Sequence, residues 1–347
     1  MSLQRYLARY IPAIDAEILR AVDGAGPCEL YDLVRYQLGW MDDKGSRLPP
    51  DEAMRHGGKK LRPALTLLAC EACGGDFRTA LPIAAAIELI HNFSLVHDDV
   101  EDGDRLRRHR LTVWGVWGVP KAVNCGSAMQ ALVYRAAFRA RRSGLDSETT
   151  LGLVELLTDA ILEMTEGQHL DIDFQERGSI SVARYFDMTS RKTGALLEAA
   201  VRCGARAAGA SVEVENGLAH FGRSFGLAFQ ARDDYLGAWG DPEKSGKAVG
   251  ADIERRKKSL PVVYALEHDP DGAGALIRRV MSQDEITAAD CERVVESLSA
   301  CGAEKFTEHA AEEHRREAII ALSEVLDDGP ARRALTELAE LAILRHS

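Results

Sequence analysis

One stretch limits the folds open to this chain more than any other. IAAAIELIHNFSLV, residues 83–96, is apolar on nearly every side of an ideal helix and runs straight into HDDVED, residues 97–102. A helix that is apolar all round belongs in an interior, so Asp98, Asp99, Glu101 and Asp102 are expected at the end of a buried element. Carboxylates this close repel one another and weaken the helix unless a cation offsets them. At about 100° per residue, His91, Leu95, Asp98 and Asp102 fall on one stripe. Magnesium suits that stripe, because it is hard, prefers oxygen and keeps waters while bridging a carboxylate to a phosphate. A solvated acidic face would also account for the cluster. So would an HD-type metal phosphohydrolase built on His97-Asp98, which would need further metal-binding histidines.

Arg107 and Arg108 follow the acidic group directly. A guanidinium presents a fixed fork of donors that matches a phosphate. Carboxylates for a metal followed by paired arginines for phosphate describe a diphosphate site. The formal net charge is −11, which argues against a nucleic-acid partner. The basic runs RLRRHR (105–110) and RRKK (255–258) read, taken alone, as solvated faces. Cys28, Cys70, Cys73, Cys125, Cys203, Cys291 and Cys301 are scattered, as expected of buried thiols in a reducing cytoplasm and not of a zinc site. The opening residues read as an amphipathic helix, not a signal peptide. No apolar run of membrane-spanning length is expected, and hence no transmembrane segment.

Apolar residues recur at three and four along nearly the whole chain, and Ala and Leu dominate. Breakers such as Gly74-Gly75, Pro120, Gly144, Gly178, Asp241-Pro242 and Gly329-Pro330 set off helical segments. The predicted helices are 79–104, 121–142, 147–175, 181–208, 212–239 and 303–327, with a last one opening near Pro330. One all-α domain spanning 1–347 is expected, with loop-rich residues 1–52 as a lid or packing extension. The C-terminal Arg345-His346-Ser347 is expected to fray.

From about Met54 to Pro261 the sequence resembles the trans-isoprenyl diphosphate synthases, the family of farnesyl and geranylgeranyl diphosphate synthases. The motifs GGKKLRP (57–63), DDVED (98–102), EGQHLDIDF (166–174), KTG (192–194) and QARDDYLG (230–237) recur in the family's order. The resemblance implies a helical bundle around a deep central cavity, a homodimer, and isopentenyl and allylic diphosphates as substrates. Asp98, Asp102 and Asp233 would hold magnesium, three ions per site. Arg107, Lys192 and Thr193 would serve the allylic diphosphate, the last two also the developing cation, and Gln230, Lys247 and Lys257 would bind substrate, with Lys247 also catalytic. Lys59, Arg62, His91 and Arg108 would bind isopentenyl diphosphate. Gln168, Asp171, Asp234 and Asp252 also fall on functional places. Three departures accompany the match: Gly237 stands where the second motif has its third Asp, Gly126-Ser127 replaces a Gly-Asp pair, and HRLTVW (109–114) lacks the usual Gly and Pro.

The implied reaction ionises the allylic diphosphate, condenses the cation with isopentenyl diphosphate and eliminates a proton. Phe93 and Ser94, five and four residues before Asp98, resemble the C20-forming type, with a C15 product as the alternative. A terpene cyclase would not need Lys59, Arg62, His91 and Arg108. A non-catalytic subunit of a heteromeric synthase would lack the first-motif carboxylates or the arginines.

Overall fold

A computed structural model describes residues 2–240 and 250–343, and its elements are almost all helices, so the chain is all-α. In chain order come α1 (Leu3–Asp23), α2 (Leu30–Gln37), α3 (Pro50–Gly57), α4 (Leu61–Ala72), α5 (Phe77–Glu101), α6 (Val113–Trp117) and α7 (Val119–Ala137), which tightens into a 3₁₀ turn, Phe138–Ser143. Next are α8 (Ser147–Glu176), α9 (Val182–Thr189), a π-helical turn (Ser190–Gly194), α10 (Ala195–Ala207) and α11 (Val212–Trp239). Beyond residue 249 follow α12 (Ala251–Glu254), α13 (Leu260–His268), α14 (Ala273–Met281), α15 (Ala288–Ala300), α16 (Ala303–Val325) and α17 (Pro330–Ile343).

The predicted segments match helices to within a few residues, with two exceptions. Residues 181–208 are split by the π turn. The piece before residue 52 is less loop-rich than expected, since α1 and α2 occupy much of it.

Contacts divide the chain into two compact units. The first comprises Met1–Thr158, Ala199–Glu215 and Asp328–Leu335. Its axis is α5, which lies against α1, α4 and α7. Asp76 caps α5 by accepting from the Arg78 amide at 3.0 Å, one of the donors a helix start leaves open. Ala84, Ala85, Ala86, Ile87, Leu89 and Ile90 have no exposed surface. By length and composition α5 could cross a membrane, contrary to expectation, but 72% of its apolar window is buried within the chain, as befits a core helix. In α1, Tyr10, Ile14 and Ile18 are fully buried, and the Tyr10 ring meets Phe77 at 5.2 Å. At about 1.5–3 kcal/mol per buried side chain, these residues tie α1 to the core of the first unit.

The second unit comprises Asp159–Glu198, Asn216–Asp327 and Thr336–Ser347. Here α13 lies against α9, α14 and α16. One core cluster joins Phe174, Tyr185, Leu260 and Val263, and another joins Val262, Ile277, Val294 and Leu298. A capping box starts α15, with Thr287 and Asp290 each accepting from the other's backbone N–H.

Candidate active site

Four carboxylates gather at the C-terminal end of α5, where the helix dipole is already negative, so they need cations. The structure sorts them. Asp99 is turned inward, 1% exposed, and accepts a 2.7 Å hydrogen bond from Arg107 Nε. Burial raises its pKa, and the guanidinium draws it back down. Asp98 is half-buried and Asp102 exposed, one turn apart on the same face. Asp99 therefore anchors an arginine, while Asp98 and Asp102 share a face of hard oxygen donors.

Arg107 and Arg108 stand on a two-stranded hairpin, β1 (Leu106–Arg107) against β2 (Arg110–Leu111), that the helical periodicity did not announce. A two-residue loop of this kind needs positive φ at both central positions and usually carries Asn-Gly. Here Arg108 (φ 51°) and His109 (φ 62°) take that conformation, at a cost on the order of 1–3 kcal/mol each. The turn aims Arg108 at the GGKK segment, where its Nη1 donates to the His56 carbonyl at 2.7 Å. Gly58 (φ 77°) lies against this guanidinium, and a Cβ there would come within 2.6 Å of Nη2. Arg110, which sequence reasoning missed, holds the hairpin's other side. It lies over the Tyr36 ring at 3.4 Å and donates to the carbonyls of Tyr36 and Met41. Tyr36, His56, Leu95, Arg107, Arg108 and Arg110 all line one cleft.

Beside that cleft the first unit collects positive charge. Lys60, at φ 48° before α4, is buried, 3.1 Å from Asp15 and 3.9 Å from Glu88. Arg62 has its Nε buried without a hydrogen-bond partner. Burial holds His91 well below the usual histidine range, and the charges of Arg62, Arg108, Arg107 and Lys60 push the same way. Burial also raises the Glu88 carboxyl, while Lys60 and Arg62 pull it down. Arg62, His91, Arg107 and Arg108 thus fall within one electrostatic neighbourhood. Lys59 is exposed, and Lys60 takes the interior place. Phe93 is 5% exposed with its ring edge-on to His97 at 6.0 Å, and the Ser94 hydroxyl donates to the His91 carbonyl.

The second unit holds the remaining predicted residues. Lys192 sits in the π turn and pairs with Asp171 of α8. From Thr193 a chain of hydrogen bonds runs inward: the hydroxyl donates to Gln230 Oε1 at 3.2 Å, and Gln230 Nε2 donates to Asp234 Oδ1 at 2.9 Å. Asp234 Oδ2 accepts from the Tyr185 hydroxyl at 2.5 Å and the Leu260 amide at 2.6 Å. Burial, with nearby Asp252 adding, pushes the Asp234 carboxyl up to about 7. The second motif is sorted like the first, with Asp234 buried as an anchor and Asp233 half-buried beside it. Gly237 has a physical reason: the Asp252 carboxylate fills the space a Cβ would enter. Lys257 is exposed, whereas burial lowers the pKa of its neighbour Lys258. Lys247 and Arg345-His346-Ser347 lie outside the described residues.

Among the described residues no three metal-ligating side chains converge. Magnesium does not require that, since it is held by one or two carboxylates with waters and substrate phosphates. The Asp98–Asp102 face and the half-buried Asp233 fit such binding in type and exposure.

The polyprenyl synthetase family model matches residues 47–298. A (2E,6E)-farnesyl diphosphate synthase of Mycobacterium tuberculosis is 37% identical over 312 residues, covering 89% of this chain and 84% of that protein. A geranylgeranyl diphosphate synthase of the same organism is also 37% identical, over 310 residues, covering 89% and 85%. Among solved structures, a polyprenyl synthetase from Streptomyces coelicolor superposes with a TM-score of 0.90 at 33% identity, covering 99% of this chain and 100% of that one.

Proposed function

We propose, for a chain that belongs to the polyprenyl synthetase family, a metal-dependent trans-prenyltransferase that joins isopentenyl diphosphate to an allylic diphosphate. The observation that carries this reading is the cluster of cationic side chains in the first unit. There Arg62 has an unsatisfied buried Nε and His91 is kept neutral beside Arg107 and Arg108. Buried donors without partners are costly, and a diphosphate would satisfy them.

Arg62, His91 and Arg108, with Lys59 at the rim, bind isopentenyl diphosphate. Arg107, held by Asp99, faces the allylic diphosphate. Asp98, Asp102 and Asp233 would hold magnesium, three ions by family likeness, and the metal would supply positive charge to the leaving diphosphate. Lys192 and Thr193, steadied by Asp171 and Gln230, place donors where negative charge develops; such preorganised stabilisation is the largest source of rate in many enzymes. Fixing both substrates in one orientation contributes about 7–11 kcal/mol. The departing diphosphate takes the final proton. Family likeness supports a homodimer, and the scattered cysteines, all free thiols, support a reducing cytoplasm. Phe93 and Ser94 support a C20 product, while the relatives at 37% identity make both C15 and C20.

The test is product analysis. Purified protein, magnesium and isopentenyl diphosphate are supplied with C5, C10 or C15 allylic diphosphate and the products are read by mass spectrometry. A metal-dependent prenyl diphosphate is expected. Hydrocarbon from a prenyl diphosphate alone would indicate a cyclase instead, and no turnover would indicate a subunit without its partner.

A further inference from the structure

The turn bearing Lys192 and Thr193 is the one π-helical stretch among the described residues. Such turns are rare and frequently mark functional sites. The Ala195 amide reaches back to the Ser190 carbonyl to close it. That carbonyl also accepts from Arg223 Nη1 of α11 at 3.1 Å, and the Ser190 hydroxyl lies at the same distance. The remaining donors of Arg223 go to two carboxylates: Glu163 of α8 at 2.6 and 3.1 Å, and Glu198 of α10 at 2.8 and 2.5 Å. A guanidinium has five N–H donors in one plane, and here its fork grips α8, α10 and the turn together.

Glycines admit the turn's backbone on both sides. Gly167 of α8 leaves the room that the Lys192 backbone occupies. On α11, flanking Arg223, a Cβ at Gly222 would come within 2.6 Å of Glu198 Cα, and one at Gly226 within 2.7 Å of Gly194 Cα. The seat is made by glycines and the clamp by one arginine.

We propose that Arg223 is a positioning residue: by holding the Ser190 carbonyl against α8 and α10, it sets the register in which Lys192 and Thr193 meet the allylic diphosphate. This rests on the roles given above to Lys192 and Thr193. Lysine would be a poor replacement, because three donors on a flexible stem cannot span two carboxylates and a carbonyl in one plane.

The experiment compares wild type, Arg223→Met, Arg223→Lys and Lys192→Ala in the full chain. It reads steady-state constants for each substrate and hydrogen exchange across residues 190–196. For Arg223→Met the KM for the allylic diphosphate should rise about tenfold or more and kcat fall comparably, as a misplacement of about 1 Å would cause. The KM for isopentenyl diphosphate should stay within about twofold. Amides 192–195 should exchange faster while those of α5 do not, and Arg223→Lys should lie between. If exchange at 192–195 and both KM values are unchanged, or if both substrates are affected alike with faster exchange throughout, the proposal fails. Should the methionine variant not fold, Arg223→Lys decides by the same readings. If Lys192→Ala leaves the allylic KM and kcat unchanged, the role given to Lys192 fails; exchange in the Arg223 variants then tells whether the clamp still sets the turn.

Discussion

Neighbouring aspartates in this chain have different work, and substitution separates them. Asp98→Ala should lower turnover by about a hundredfold or more, as loss of a charge-stabilising group does, and leave the thermal midpoint near wild type because Asp98 is half-buried. Asp99→Ala should instead destabilise by about 1–3 kcal/mol, since it strips Arg107 of its buried partner. Circular dichroism melts and steady-state rates on the two variants check the contrast. His91 gives a pH signature. Its folded pKa lies below its unfolded one, so its contribution to stability is present above the unfolded value, about 6.5, and is lost as pH falls toward the folded value. Urea melts should show wild type losing more stability than His91→Gln between neutral and acidic pH. Equal losses would remove His91 from the interior cluster.

At the scale of elements, Gly237 and Asp252 form a matched pair although a stretch outside the described residues separates them in sequence. Restoring the motif by Gly237→Asp drives a side chain into the Asp252 carboxylate. The expected cost is about 1–3 kcal/mol, typical of overpacking, with part recovered in Gly237→Asp/Asp252→Ala because contacting sites are not additive. Thermal midpoints of the two single variants and the double variant test this. Helix positions were legible in the sequence because breakers such as Gly144 and Pro330 stop a strong apolar period. The π turn was not, because residues 181–208 keep that period throughout, and the close approach of the turn's backbone to Gly167 and Gly226 is set only in the fold. Nor was the hairpin, since Arg108-His109 lacks the usual turn residues.

Over the whole molecule, net charge misleads about the site. A chain of −11 keeps a local group of cations at Lys60, Arg62, Arg107 and Arg108; the motif order pointed to Arg62, Arg107 and Arg108, and to Lys59 where the fold buries Lys60. Motif order named the candidate site residues. It did not reveal which support them, because Arg110 and Arg223 find their partners only through the fold: the Tyr36 ring and carbonyl for one, Ser190, Glu163 and Glu198 for the other. Product size belongs to this scale as well. Phe93 is packed edge-on to His97, and Phe93→Ala removes the bulk on which the C20 reading rests. Longer prenyl diphosphates by mass spectrometry are the expected outcome, and an unchanged product would clear Phe93 of that role.

If Arg108 binds isopentenyl diphosphate as proposed, the left-handed pair Arg108-His109 sets stability and activity against each other under selection. A glycine at position 109 would relieve the strain and raise the melting point by a few degrees, as a gain of about 1 kcal/mol allows. It would also slacken the backbone that aims Arg108. Variants chosen for heat resistance alone should therefore accumulate His109→Gly, and those chosen for growth on scarce isopentenyl diphosphate should keep the strained residue.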